Sequence, residues 1–296
     1  MIALPPFPTR RGALALLAAA GLPLPARAAG LRVATVDWSV LETLLALEAP
    51  PVAAPELRQF REVAVEPEVP AGVTDLGLRG TVNFELLLLS RPELIYSSSF
   101  YVSSEPRLRR IAPVESFSIY APGRAPYEPA VAMTRSIGER LGIAAGAERY
   151  IAETEAELAA LRERLKPHAA RPVIPVNLGD TRHFRVFGAD SMFGEVLTRL
   201  GLANAWTDQT SYSAMAPIGL EALVRMPDAF VALIPPVPPG AMRTLAASAF
   251  WNALPNLRDG RLLELGSINP YGGLPAARRF ARLLAEALLK AETARG

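Results

Sequence analysis

A duplicated phrase constrains this chain more than any other feature. Val36-Asp37-Trp38-Ser39, followed at helical spacing by Glu42 and Leu47, returns as Ala189-Asp190-Ser191-Met192 with Glu195 and Leu200 at the same offsets from the aspartate. Each copy reads as a strand end turning into a helix. A second echo follows each: Asn83-Phe84-Glu85-Leu86-Leu87 before Pro92-Glu93-Leu94-Ile95, and Gly219-Leu220-Glu221-Ala222-Leu223 before Pro227-Asp228-Ala229-Phe230-Val231. Helix, proline and buried strand recur in that order. Self-similarity at a separation of one lobe predicts two small α/β units facing each other, with any ligand in the crevice between them.

Length and apolar content allow this. With 296 residues, half of them hydrophobic, and a mean hydropathy of +0.21, the chain can bury one large core or two modest ones. Short β-rich runs (Leu31 to Val36, Leu94 to Ser97, Ser116 to Ile119) alternate with helical ones (Val40 to Leu47, Phe84 to Leu89), as in a mostly parallel sheet. Prolines at 50, 51, 55, 67 and 70 predict an extended, irregular stretch from Ala49 to Gly72. From Ala147 to Lys166, Ile151, Thr154, Leu158, Leu161 and Leu165 recur at three- and four-residue spacing, and Pro167 stops the pattern. Such a helix is either a surface helix of one domain or a strut joining two lobes; its place midway between the echoes favours the strut. Beyond it, Val173 to Leu178, Phe184 to Phe187, Ala229 to Ile234 and Leu262 to Leu265 read as strands. Met192 to Leu200, Gly219 to Val224, Ala241 to Ala246 and Pro275 to Ala291 read as helices. The expected organisation is a leader over 1–28, a first α/β lobe over 29–145, a joining helix over 146–167 and a second α/β lobe over 168–296.

The leader is read from Arg10-Arg11 ahead of the uncharged run Ala13 to Leu22 and then Ala26-Arg27-Ala28. That run falls short of the about 20 apolar residues needed to span a bilayer, and the paired arginines match a twin-arginine export signal. Its removal takes Arg10, Arg11 and Arg27 and no acidic residue, so the formal charge moves from +2 to −1. No basic patch then argues for nucleic acid. With no cysteine the exported chain has neither disulfides nor a thiol for lipid attachment, which points to a closed compartment, the Gram-negative periplasm.

Several chemistries lack their usual signatures. There is no phosphate-binding glycine loop and no dinucleotide fingerprint. His168 and His183 are the only histidines; neither has metal-ligand spacing, and each is expected to be structural. No G-x-S-x-G elbow is present, and Ser191 reads as a helix cap. Glu42, Glu85, Glu195 and Glu221 fall inside expected helices, where solvated carboxylates are the simplest account.

Other residues suit a ligand. In Asp75-Leu76-Gly77-Leu78-Arg79-Gly80, flanking glycines leave the Arg79 guanidinium either as a surface side chain in a turn or as a planar donor to oxygen acceptors. Ser97-Ser98-Ser99-Phe100-Tyr101 ends a strand with adjacent aromatics; Trp206 and Tyr212 flank a polar loop; Asn269-Pro270-Tyr271-Gly272-Gly273 follows the last strand. Aromatics on loops at strand ends suit a bulky, partly apolar ligand, or else they pack under the loops. Packing is expected for Trp206, ligand contact for Tyr101 and Tyr271.

Taken together, Asp75-Leu76-Gly77-Leu78-Arg79 with Asn83 to Leu87, Arg110-Ile111-Ala112-Pro113, Arg182-His183 with Val186-Phe187-Gly188, Asn204-Ala205-Trp206 and Tyr271-Gly272 resemble the ferric-hydroxamate siderophore-binding periplasmic proteins. The likeness covers nearly the whole chain after the leader. It implies an α/β fold of two Rossmann-like lobes joined by a single long helix, with a shallow groove between them and little domain closure. It also implies a monomeric, non-enzymatic receptor that hands an iron(III)-siderophore complex to an inner-membrane ABC permease, and no cofactor, since iron is held only through the siderophore. By the same resemblance Arg79 donates to hydroxamate oxygens and Tyr101, or else Phe100, does likewise. Tyr271 forms an aromatic wall, Trp38 is a loop aromatic near the groove, and Tyr212 and Asn269 also line it. Ser213 and Asn269 stand where relatives carry groove tryptophans, and no aromatic obviously replaces the one expected before Pro67, so a smaller or more polar chelate becomes credible. Glu105 and Glu221 are the expected permease-docking carboxylates. The alternatives are a same-fold receptor for haem, a corrinoid or a catecholate siderophore, and an exported two-lobed enzyme.

Overall fold

The first sheet grows from the opening phrase. In this computed structural model, which describes residues 30–210 and 217–293, β1 (Val33–Thr35) runs into α1 (Trp38–Ala46), capped by Asp37. There follow β2 (Ala53–Ala54), α2 (Leu57–Val63), β3 (Thr74–Asp75), α3 (Phe84–Leu89), β4 (Leu94–Ser98), α4 (Glu105–Leu108) and β5 (Val114–Phe117). All five strands pair in parallel in the order β3-β2-β1-β4-β5. Central strands buried on both faces read as continuous apolar runs, and β4 is buried along its whole length.

The stretch from Ala49 to Gly72 corrects the sequence reading. It is not irregular throughout: Ala53 and Ala54 form a fully buried strand beside β1, and α2 occupies the chain between Pro55 and Pro67. The prolines bound that helix instead of preventing it, and Leu57 and Phe60 hold it to the core beneath Trp38. A further helix, α5 (Tyr127–Arg140), was not foreseen. Pro126, Pro129 and nearby glycines mask its apolar face of Ala130, Val131, Met133 and Ile137.

The long helix is α6 (Ala144–Leu165), and the periodic residues Ile151, Thr154, Leu158, Leu161 and Leu165 are all buried. It packs against α5 on one side and against α7 (Met192–Arg199) and α11 (Leu274–Thr293) on the other. The second sheet comprises β6 (Val173–Leu178), β7 (His183–Val186), β8 (Ile218–Gly219), β9 (Phe230–Leu233) and β10 (Leu262–Glu264), in the order β10-β9-β6-β7-β8. Short helices α8 (Ala241–Ala246), α9 (Ala249–Ala253) and α10 (Pro255–Arg258) precede β10. β6, β9 and β10 are parallel, whereas β7 pairs antiparallel with both of its neighbours, β6 and β8. A tight turn through Gly179-Asp180 brings β7 straight back along β6, leaving no room for a crossover. The segment Gly219 to Val224, expected as a helix, is a 3-10 turn over Leu220–Arg225 that follows β8.

The described residues from Arg32 onward cluster as one compact unit. The leader reading, Tyr212 and Ser213 lie outside the described residues. Trp206 sits in the second lobe's core, as expected of it. Ser191 is a cap: its hydroxyl accepts from Gly194 N at 3.0 Å and donates to Gly188 O at 2.7 Å.

Candidate ligand-binding groove

In open α/β sheets the carboxyl ends of parallel strands face the ligand. In the first lobe β1 leads into Asp37, which organises the floor. Its Oδ1 accepts from Ser39 N at 2.7 Å and Val40 N at 3.2 Å, and its Oδ2 from the Ser98 hydroxyl at 2.7 Å. The start of α1 and the end of β4 are thereby tied. Trp38, placed by the resemblance on a loop, is the first residue of α1 and is buried; its indole N–H donates to Pro55 O at 3.0 Å, and its ring meets Phe60 edge-on.

Arg79 lies over that indole, its guanidinium carbon 3.7 Å from the ring centroid. Nε donates to Glu56 Oε2 at 2.6 Å. Gly77, with φ of +75°, makes the turn that delivers the arginine from β3. Stacking and ion pair fix the plane of the group. Among the described residues nothing takes its terminal Nη groups, so those donors remain available to an acceptor outside the protein.

Beyond Ser98 the chain forms a 3-10 turn over Ser99–Ser104 that carries Phe100 and Tyr101. Phe100 is half exposed; Tyr101 is partly buried against the first lobe's core. Burial, with the negative charge of Asp37, pushes the Tyr101 phenol up to about 12 despite the nearby Arg79 cation. It therefore stays an O–H donor at neutral pH.

The second lobe contributes the loop after β10. Tyr271 meets Phe100 at 6.0 Å between ring centroids and Tyr120 at 5.6 Å, both edge to face. Tyr120, buried beyond the end of β5, lies 6.5 Å from Phe100 and donates its hydroxyl to Gly272 O at 2.7 Å. Three rings from two lobes thus share one aromatic seam. Tyr120 was missed from sequence, although its place just past a strand end is the signal that singled out Tyr101.

Asn269 is buried and turned away from any ligand-lining role: Nδ2 donates to Glu42 Oε1 at 2.7 Å, and Oδ1 accepts from Tyr271 N at 3.2 Å. Glu42 likewise departs from the solvated carboxylate expected of it. It is 1% exposed and also accepts from Gly273 N at 3.0 Å and from Ala276 N. Burial pushes its carboxyl up to about 8, against the opposing pull of those N–H donors. Gly272 and Gly273 permit this approach, because a Cβ on Gly272 would stand 2.4 Å from Glu42 Oε2 and one on Gly273 3.0 Å from Thr43 Oγ1.

Glu105, at the start of α4, pairs with Arg109 at 3.1 Å; Glu221 is exposed in the 3-10 turn of the second lobe. His183 bonds Asp180 through Nδ1 at 3.0 Å and holds that carboxyl down at about 2; His168 is buried after α6. Among the described residues no group of three or more His, Cys, Asp or Glu side chains is placed to hold a metal ion, and no helix is long and apolar enough to cross a membrane.

This geometry recurs in known proteins. The chain is 30% identical over 257 residues to the iron(3+)-hydroxamate-binding protein FhuD of Escherichia coli K12, covering 87% of this chain and 86% of that protein. Among solved structures it is similar to the Fe3+–Desferal-bound siderophore-binding protein FhuD of Vibrio cholerae, with a TM-score of 0.83 and 24% identity over 88% of this chain and 98% of that one. It shares the fold of BauB bound to two molecules of acinetobactin and ferric iron, with a TM-score of 0.68 and 17% identity over 88% and 92% of the two chains. Residues 33–268 match the family described as periplasmic binding protein. Two α/β sheets, a long helix packed between their flanking helices and this sequence match have one reading: the chain belongs to the periplasmic binding protein family.

Proposed function

We propose that this protein is a periplasmic receptor, exported by a twin-arginine leader, that captures an iron(III)-hydroxamate siderophore and passes it to an inner-membrane ABC importer. The observation that carries this reading is Arg79: stacked on Trp38, gripped by Glu56, and with its terminal N–H groups unclaimed among the described residues. A planar donor held in advance loses little entropy on binding and suits the paired oxygens of a hydroxamate.

The remaining groups have matching roles. The Tyr101 hydroxyl is a second donor to chelate oxygen. Phe100 and Tyr271, buttressed by Tyr120, offer apolar surface to the methylene arms of a siderophore. The chelator already fills the coordination sphere of iron, so recognition goes to the organic shell, the metal is cargo and no protein cofactor is required. The 30% identity to an iron(3+)-hydroxamate-binding protein supports the same choice. The protein acts as a monomer and by binding, not by turnover. Glu105 and Glu221 are proposed to meet the permease; Glu221 is exposed, and Glu105 would exchange Arg109 for a partner cation.

Titrating the protein with iron-loaded desferrioxamine, a catecholate chelate, haem and cobalamin, followed by tryptophan fluorescence, tests this. Tight binding of the hydroxamate alone is expected. Tight binding of cobalamin, haem or the catecholate without the hydroxamate overturns it.

A further inference from the structure

The duplicated phrase places a glutamate five residues after its aspartate in both copies, Glu42 and Glu195. The fold gives the two the same kind of partner. Glu42, on α1 of the first lobe, accepts Gly273 N at the start of α11, the helix that follows the last strand of the second sheet. Glu195, on α7 of the second lobe, accepts Tyr127 N at 3.1 Å at the start of α5, the helix that follows the last strand of the first sheet. Each glutamate reaches out of its own lobe to satisfy an N–H that a helix terminus leaves unpaired.

The loops ending at these two contacts build the groove. The loop from β10 to α11 carries Tyr271, tied to Glu42 through Asn269. The loop from β5 to α5 carries Tyr120, whose hydroxyl bonds Gly272 of the other loop. Around Glu195, Arg199 lies 3.5 Å over the Tyr127 ring and bonds Glu128 at 2.6 Å and Glu155 at 3.4 Å, so α5, α6 and α7 are held at one point.

We propose that Glu42 and Glu195 form a reciprocal clasp between the lobes, in which Glu42 is the positioning residue for Tyr271 and Glu195 its counterpart for the loop that carries Tyr120. The groove is thus held ready-made, with its two walls registered before ligand arrives. This rests on the groove being the siderophore site, as proposed above. Asp37, Tyr120 and Tyr150 are the titratable groups that face Glu42; Arg199 faces Glu195, whose other partner is the backbone N–H of Tyr127. Opening the loop would release the Glu42 carboxylate into water, so alkaline pH favours the unlatched form.

The test combines amide hydrogen exchange of the unliganded protein with binding of iron(III)-desferrioxamine between pH 6.5 and 8.5, for wild type, Glu42→Gln and Glu195→Gln. Glu85→Gln, an exposed carboxyl of α3, is the control. Glu42→Gln is expected to speed exchange at Tyr271 and Gly273 at least tenfold, leave the middle of α6 unmoved and weaken binding at least fivefold. It should also abolish the loss of affinity expected of wild type as pH rises. Glu195→Gln is expected to speed exchange at Tyr127 and its neighbours. Should Glu42→Gln not fold, Asn269→Ala, which cuts one link of the same chain, must show the same changes to a smaller degree. Unaltered exchange, or faster exchange with affinity and pH profile unaltered, overturns the clasp. If wild type binds no iron chelate at all, the functional reading fails, and exchange with its pH dependence decides the clasp alone.

Discussion

The two halves of this protein begin from nearly the same words and finish differently. In the first, Asp37 is the helix cap, buried and bonded to α1 and to the neighbouring strand β4. In the second, Asp190 yields the cap to Ser191 and accepts instead from the Thr210 hydroxyl, and the strand before it runs antiparallel. Four residues past the aspartate stands Leu41 in one copy, fully buried, and Gly194 in the other, pressed onto the carbonyl of Gly188. A repeated sequence therefore guarantees a strand end followed by a helix. It does not guarantee the direction of the strand, which depends on whether the preceding connection is a crossover or a tight turn.

The largest expected effect probes that difference directly. Gly194→Ala would set a Cβ 1.9 Å from Gly188 O; a loss of at least about 4 kcal/mol is expected in urea denaturation, because backbone must move to relieve it. A near-neutral result would mean that the second copy tolerates the looser packing of the first. Next, the caps should differ in weight: Asp37→Ala is expected to cost about 3 kcal/mol, since it also orphans the Ser98 hydroxyl, and Ser191→Ala about 1 kcal/mol. Equal losses would break the asymmetry.

In the first half, Arg79→Ala should weaken binding of iron(III)-desferrioxamine by about 2 kcal/mol while the melting temperature of the unliganded protein hardly moves. Unchanged affinity would remove Arg79 from the site.

A pH titration separates the paired glutamates. The Glu42 carboxyl is raised from 4.5 to about 8, so the folded state keeps a proton that the unfolded state releases between those values. The associated stability is complete below pH 4.5 and is lost as pH rises toward 8. The melting temperature of wild type should accordingly decline across that window, and Glu42→Gln should flatten the decline; a profile unaffected by the substitution would show that Glu42 does not titrate there.

The groove was legible in part. Arg79, Phe100, Tyr101 and Tyr271 stand out because loops at strand ends carry few reasons for such side chains other than a ligand or a seam, and the fold brings the three aromatics and Arg79 to the carboxyl ends of the strands. Trp38 and Asn269 are in the neighbourhood but buried, the first as a platform beneath Arg79 and the second as a link between Glu42 and Tyr271. Local spacing cannot tell a lining side chain from the one behind it, since both are placed by the same turn. Glu42 shows the same limit more sharply: on helical spacing it is an ordinary carboxylate, and only the approach of Gly272 and Gly273 from residues more than two hundred positions away takes it out of water.

By itself, the sequence determined the two α/β halves, the long joining helix with its buried stripe from Ile151 to Leu165, and the strand-end loops where chemistry could be sought. These follow from local periodicity and turn residues, which act over a few residues of chain. Tertiary structure alone decided the antiparallel edge of the second sheet, the short buried strand and helix among the prolines, and the crossing of Glu42 and Glu195 to opposite lobes. Those features depend on which distant surfaces exclude water together, and that is settled only when both halves have folded against each other.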